Sequence, residues 1–96
     1  MKYDDIKSGG FIECPVCGHR VGYKYPISPN EKVYAKPRVS DLARHMIMKD
    51  DELHRKWIKE RLGELPSNLR PLTDYLKKTN YVKKGEFMGL EIFLPL

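Results

Sequence analysis

Cysteine is scarce in this chain: two residues in 96, Cys14 and Cys17. Cysteine alone therefore cannot complete a four-ligand metal site, and any further donors must be of another type. Long hydrophobic runs are missing too. No stretch approaches the ~20 apolar residues that a membrane-crossing helix needs. The opening residues, Met1-Lys2-Tyr3-Asp4-Asp5, lack the apolar core of a secretory signal, so the expected compartment is the cytoplasm and no membrane partner is expected. Thiols stay reduced there, which favours metal over a disulfide. The sequence shows no internal repeat and no low-complexity segment. It also lacks a Ser-His-Asp set, a phosphate-binding loop and a paired-carboxylate signature. Asp50-Asp51-Glu52 is a carboxylate run, but it reads better as the start of a helix. No enzymatic activity is expected.

What the chain does have is an ordinary soluble composition, 41% hydrophobic and 32% charged. Its length fits one small domain, in the size range where a modest core benefits from a staple such as a structural metal. The net charge of +5 is uneven. Residues 1–39 carry +3, residues 40–66 are neutral, and residues 67–96 carry +2. A basic balance suits a polyanionic partner and equally suits simple solubility.

The organising stretch is Cys14-Pro15-Val16-Cys17-Gly18. Two cysteines at this spacing, with Pro between and Gly after, bend the backbone so that both sulfurs face one point, as zinc requires. Phe11-Ile12-Glu13 runs into this knuckle and Arg20 to Tyr25 runs out, with Val21, Tyr23 and Tyr25 alternating onto one face. A short β-hairpin with the knuckle as its turn is predicted. Pro26, Pro29 and Pro37 bracket a connecting insertion, with a loop over 26–30 and a possible short strand over 32–36. The insertion is basic, through Lys32 and Lys36, and Tyr34 lies between them, a composition suited to a nucleic-acid backbone or to a solvated loop.

Ser40, or a residue beside it, caps a helix in which Val39, Leu42, Ala43, Met46 and Ile47 form one apolar face. Lys49-Asp50-Asp51 interrupts it, and a second helix is predicted from about Asp51 to Leu62. Leu53, Trp57 and Ile58 make the second apolar face with His54 among them, while Arg55, Lys56 and Lys59 take the solvent side. Gly63 and Pro66 stop it. A short helix over 71–79, a turn at Lys83-Lys84-Gly85 and a strand over 86–94 follow, with Met88, Leu90, Ile92 and Leu94 on one side. Tyr81-Val82 is available to pair back onto that strand.

Two further metal donors are sought among His19, His45 and His54. His45 and His54 are nine residues apart, which in one unbroken helix means ~900° of rotation and ~13.5 Å of rise. Their rings could not then share one ion at ~2.1 Å per bond. Both can be ligands only if the helix breaks between them, and Lys49-Asp50-Asp51 supplies a break. His19 sits inside the turn, poorly placed to close a tetrahedron with both sulfurs. The alternatives are a core histidine at position 54 and a redox dithiol at the cysteines. The latter calls for a strand–Cys-x-x-Cys–helix order, whereas here Gly and a second strand follow.

With Cys14 and Cys17 followed by Leu42-Ala43-Arg44-His45, residues 11–58 resemble a two-Cys, two-His zinc finger, an atypical single finger similar to those of archaea and their viruses. The resemblance implies one structural Zn2+ held by Cys14, Cys17, His45 and His54. It also implies base-reading roles for Arg38, Ser40, Asp41 and Arg44, since the outer arginines suit the two acceptors of guanine's major-groove edge. The chain departs from the family in spacing: 27 residues separate Cys17 from His45, against about a dozen in the family.

The expected fold class is α+β, a small zinc-stabilised domain. A flexible lead-in occupies residues 1–10, a zinc-finger-like domain 11–65, and a C-terminal helix and strand extension 66–96 packs on the same domain. The expected function is DNA binding, with RNA possible, in transcription regulation. Phosphate contacts would come from Lys32, Lys36, Arg55, Lys56 and Lys59. The alternative is a protein-interaction module or homodimer in which the zinc is purely structural and the apolar tail Leu90 to Leu96 pairs with another chain as an edge strand.

Overall fold

A computed structural model of the chain describes residues 1–6, 10–22, 36–87 and 89–96. Tyr23, Tyr25, Lys32, Tyr34 and Met88, and the strand expected over 32–36 apart from Lys36, lie outside the described residues. The elements are β1 (Phe11–Glu13), β2 (Arg20–Val21), α1 (Val39–Lys49), α2 (Glu52–Leu62), α3 (Arg70–Lys78), β3 (Tyr81–Phe87) and β4 (Leu90–Pro95). A single 3-10 turn at Tyr3–Asp5 precedes them. The fold class is α+β, as the sequence predicts.

β1 and β2 form the expected antiparallel hairpin, with Ile12 opposite Val21 and Glu13 opposite Arg20. The four strands form one sheet in the order β2-β1-β4-β3. β4 pairs parallel to β1, with Phe11 opposite Ile92 and Ile12 opposite Phe93, and antiparallel to β3. The C-terminal hairpin thus extends the sheet begun at the knuckle. β4 is an interior strand with both edges already paired, so the tail from Leu90 cannot serve as a free edge. Among the described residues the sheet's edges are β2 and β3.

The strand boundaries at the C-terminus also differ from the prediction. Lys83, Lys84 and Gly85 lie within β3, at an irregularity in its pairing with β4, and the chain reverses at Gly89 instead. A Lys-Lys-Gly run carries the signals of a turn, but the same residues suit a bulged, solvent-facing edge strand. Gly89 has φ +79°, the left-handed conformation that glycine adopts without a Cβ clash.

The strand alternation places Ile12, Val21 and Phe93 on the helix-covered face, where they join Leu42, Met46, Ile58, Leu72, Leu76 and Tyr81 in one core. Tyr81 brings a hydroxyl into that core and donates it to the Leu76 carbonyl at 2.6 Å. On the opposite face Glu13 is buried between two cations, 2.5 Å from Lys84 Nζ and 3.5 Å from Arg20 Nε. A buried carboxylate without such partners would be strongly unfavourable.

Residues 1–6 are held at several points. Met1 and Tyr81 exchange main-chain hydrogen bonds at 3.0 and 2.6 Å, and Tyr3 donates its hydroxyl to the Pro37 carbonyl at 2.6 Å. Ile6 is in the core.

α1 buries Val39, Leu42, Ala43 and Met46, the face predicted from spacing. Arg38 occupies its N-cap position, two residues before Ser40, and makes no capping bond through its side chain. The break predicted at Lys49-Asp50-Asp51 is present. Asp50 ends α1 in the left-handed region at φ 44°, and Asp51 caps α2 by accepting the His54 backbone N–H at 2.8 Å. α2 buries His54 and Ile58, but Leu53 is exposed. The inward stripe of α2 is centred on His54 and Ile58, and Leu53 lies about 100° round the helix from His54.

Candidate metal centre

The knuckle is closed by its own backbone. Cys14 N–H donates to the His19 carbonyl at 2.6 Å and Gly18 N–H to the Cys14 carbonyl at 3.0 Å. This turn fixes two unlike sulfurs, with Cys14 buried in the core cluster and Cys17 exposed. Burial pushes the Cys14 thiol up, while the backbone N–H groups of Cys17 and Val16 act in the opposite sense by favouring a thiolate.

The two helices bring imidazoles to these sulfurs. His54 Nε2 lies 3.5 Å from Cys14 Sγ, and His45 Nε2 lies 3.1 Å from Cys17 Sγ. Only the break at Asp50 allows this, because it lets α2 turn His54 back toward α1. The four donor atoms of Cys14, Cys17, His45 and His54 lie within 4.8 Å of one another. A zinc ion bound tetrahedrally by two sulfurs and two nitrogens separates its ligands by roughly 3.4 to 3.8 Å, given bonds of about 2.3 and 2.1 Å. The set fits such an ion in number, chemistry and spacing. His19 is not in it. Its ring stacks on that of His45, with centroids 4.1 Å apart and planes 14° from parallel.

Compared with family models, with curated proteins and with solved structures, the chain finds no match. The metal centre is therefore read from its own donors.

Those donors divide into a closed half and an open half. Cys14 and His54 are each 1% exposed, whereas Cys17 is exposed and His45 half-buried. The His54 ring is held from behind, since its Nδ1 lies 2.7 Å from Asp51 Oδ1, the same oxygen that caps α2. Hydrogen bonds from the His54 backbone and then its ring hold the Asp51 carboxyl below its ordinary range. Sequence reasoning gave Asp51 only the role of a helix start. An acidic residue three positions before a ligand histidine, at a helix N-cap, is the signal that reveals the second role.

The residues expected to meet nucleic acid are dispersed. Arg38 at the N-cap of α1 and Arg44 within it are exposed, with Ser40 and Asp41 partly exposed between them. Arg55, Lys56 and Lys59 are exposed on α2, and Arg55 Nε lies 3.7 Å from Asp50. Lys36 is engaged elsewhere, its Nζ 4.3 Å from the centroid of the Tyr3 ring. Lys32 lies outside the described residues. No described helix is long and apolar enough to cross a membrane.

The centre predicts a pH dependence. A zinc ion held here would take Cys14 as its thiolate, and burial keeps that thiol protonated to a higher pH than usual. Below its pKa, each zinc bound releases that proton, so affinity falls as pH falls, by about tenfold per unit from Cys14 alone. Burial, and then the neighbouring His19 and His54, push His45 below its ordinary value, so its ring gives up its proton at lower pH than a free histidine and adds less to the slope. Competition with a chelator of known affinity between pH 6.5 and 8.5 should show at least the slope due to Cys14.

Proposed function

We propose that this is a zinc-stabilised nucleic-acid-binding domain, most closely resembling an atypical two-Cys, two-His zinc finger, and that it acts on DNA as a transcriptional regulator. The observation that supports the reading is the division of α1. Its buried side carries Val39, Leu42, Ala43 and Met46 into the core. Its remaining surface presents Arg38, Ser40, Asp41 and Arg44, the positions that a finger helix uses to read bases. His45, next to Arg44, ties that surface to the metal. Four protein ligands leave zinc no open position for water, so the role assigned to the metal is structural and the domain is read as non-catalytic.

One finger-like helix reads about 3 base pairs, so phosphate contacts must supply most of the affinity. The exposed Arg55, Lys56 and Lys59 are available for them. Binding of the zinc-loaded protein to duplex DNA should weaken steeply with salt. Arg44→Ala should lower discrimination between sequences, and Lys56→Ala should lower affinity uniformly, reducing the salt slope by about 1. A binding curve indifferent to salt contradicts the reading, and preference for single-stranded RNA would redirect it.

A protein-interaction module is the second reading. Met48 and Leu53 favour it, exposed by 75% and 66% on either side of the α1–α2 junction within the charge-neutral segment 40–66. A stable homodimer in solution, or a protein partner retained without nucleic acid, would support it.

A further inference from the structure

We infer that Asp51 is a positioning residue for the metal: it sets the His54 tautomer and ties formation of α2 to presentation of the ligand nitrogen. This rests on the zinc reading of the Cys14, Cys17, His45 and His54 cluster. One carboxylate oxygen, Asp51 Oδ1, meets two groups of the same histidine, the backbone N–H at 2.8 Å and ring Nδ1 at 2.7 Å. A carboxylate accepts only, so the ring must hold its proton on Nδ1. Nε2 is then left with its lone pair, and Nε2 is the atom that faces Cys14 Sγ at 3.5 Å. A neutral imidazole otherwise divides between two tautomers, and the wrong one carries its proton on Nε2 and its lone pair on Nδ1, away from the cluster.

The same contact starts the helix. The orphan N–H groups of a first turn need an acceptor, and Asp51 provides it. A helix start without a carboxylate could satisfy the backbone and leave the ring free to turn. Asp51 satisfies both at once, so the first turn of α2 cannot form natively without aiming His54. His45 has no such carboxylate among its described contacts; its ring lies against His19 instead. The closed half of the centre is therefore also the oriented half.

Ordinary helix capping can be separated from ring positioning by substitution. Ser at position 51 is a good N-cap but too short to reach the ring as well, while Asn keeps an acceptor oxygen and removes the charge. Asp51→Ser should bind zinc 10- to 100-fold more weakly than wild type, the range usual for losing a partner of a ligand histidine. Its zinc-saturated helicity should match wild type. Asp51→Asn should fall between the two.

In the NMR spectrum of the zinc-loaded wild type, the His54 Nδ1 proton should be visible and slow to exchange. In Asp51→Ser it should exchange too fast to be seen, and in Asp51→Asn it should stay visible. Affinity within twofold of wild type in Asp51→Ser, or a His54 ring protonated on Nε2 in the loaded protein, would overturn the inference. Should Asp51→Ser fail to fold, the ring proton of wild type and Asp51→Asn decides alone. Failure of the wild type itself to take up zinc would instead remove the metal reading beneath it.

Discussion

His54→Ala is expected to lose its zinc and, with it, the cooperative fold. His54 is buried beside Cys14, so truncation removes a ligand, opens a cavity and leaves a buried thiol without its imidazole. Stability follows metal affinity by linkage, at about 4 kcal/mol per thousandfold. A domain of this size has only about 5–15 kcal/mol in all. His45→Ala should be milder, because its side of the centre is open and water can occupy the vacated position. Zinc per chain after gel filtration, read with thermal unfolding, should rank the two variants in that order. Full zinc and normal unfolding in His54→Ala would remove that residue from the centre.

Gly22→Ala is expected to be the most damaging single-methyl change outside the metal site. Gly22 follows β2 at φ +122°, and a Cβ there would lie 2.6 Å from the Gly10 carbonyl oxygen and 2.7 Å from Pro37 Cβ. Neither neighbour is a flexible side chain. Three segments converge at this point, the approaches to β1 and α1 and the exit from β2. Backbone strain and overpacking together should cost about 2–4 kcal/mol, lowering the melting temperature by roughly 10 °C or more. Gly63→Ala is the control. Its φ is +84°, but no atom lies within 4 Å of the added methyl, so only the backbone term of about 1 kcal/mol remains. Equal melting shifts in the two variants would show that the crowding at Gly22 has no energetic weight.

The parts of this molecule that were legible in the sequence are those decided locally. A Cys-x-x-Cys-Gly run between two short strands makes a knuckle. The spacing of Val39, Leu42, Ala43 and Met46 defines a helix face, and the reach of two histidines nine residues apart requires a break at Asp50-Asp51. The features it did not disclose depend on contacts distant in the chain. The pairing of β1 with β4 joins residues about 80 apart, so nothing near Leu90 marks that strand as interior. Lys83-Lys84-Gly85 carries the composition of a turn, and only its position on the sheet's edge makes it strand. Leu53 falls at helical spacing with Trp57 and Ile58, but His54 and Ile58 set the direction in which α2 faces. Asp51 was read through its backbone role because its ring contact depends on where His54 must point.

Cobalt substitution tests the central claim most directly, because Co2+ reports ligand type and geometry together. The metal-free protein should take up one equivalent. It should develop intense tetrahedral d–d absorption and sulfur-to-metal charge transfer of two-thiolate strength, which zinc then abolishes, and chelator should lower the melting temperature of the zinc form. A weak six-coordinate spectrum, together with melting unchanged by chelator, would contradict the account.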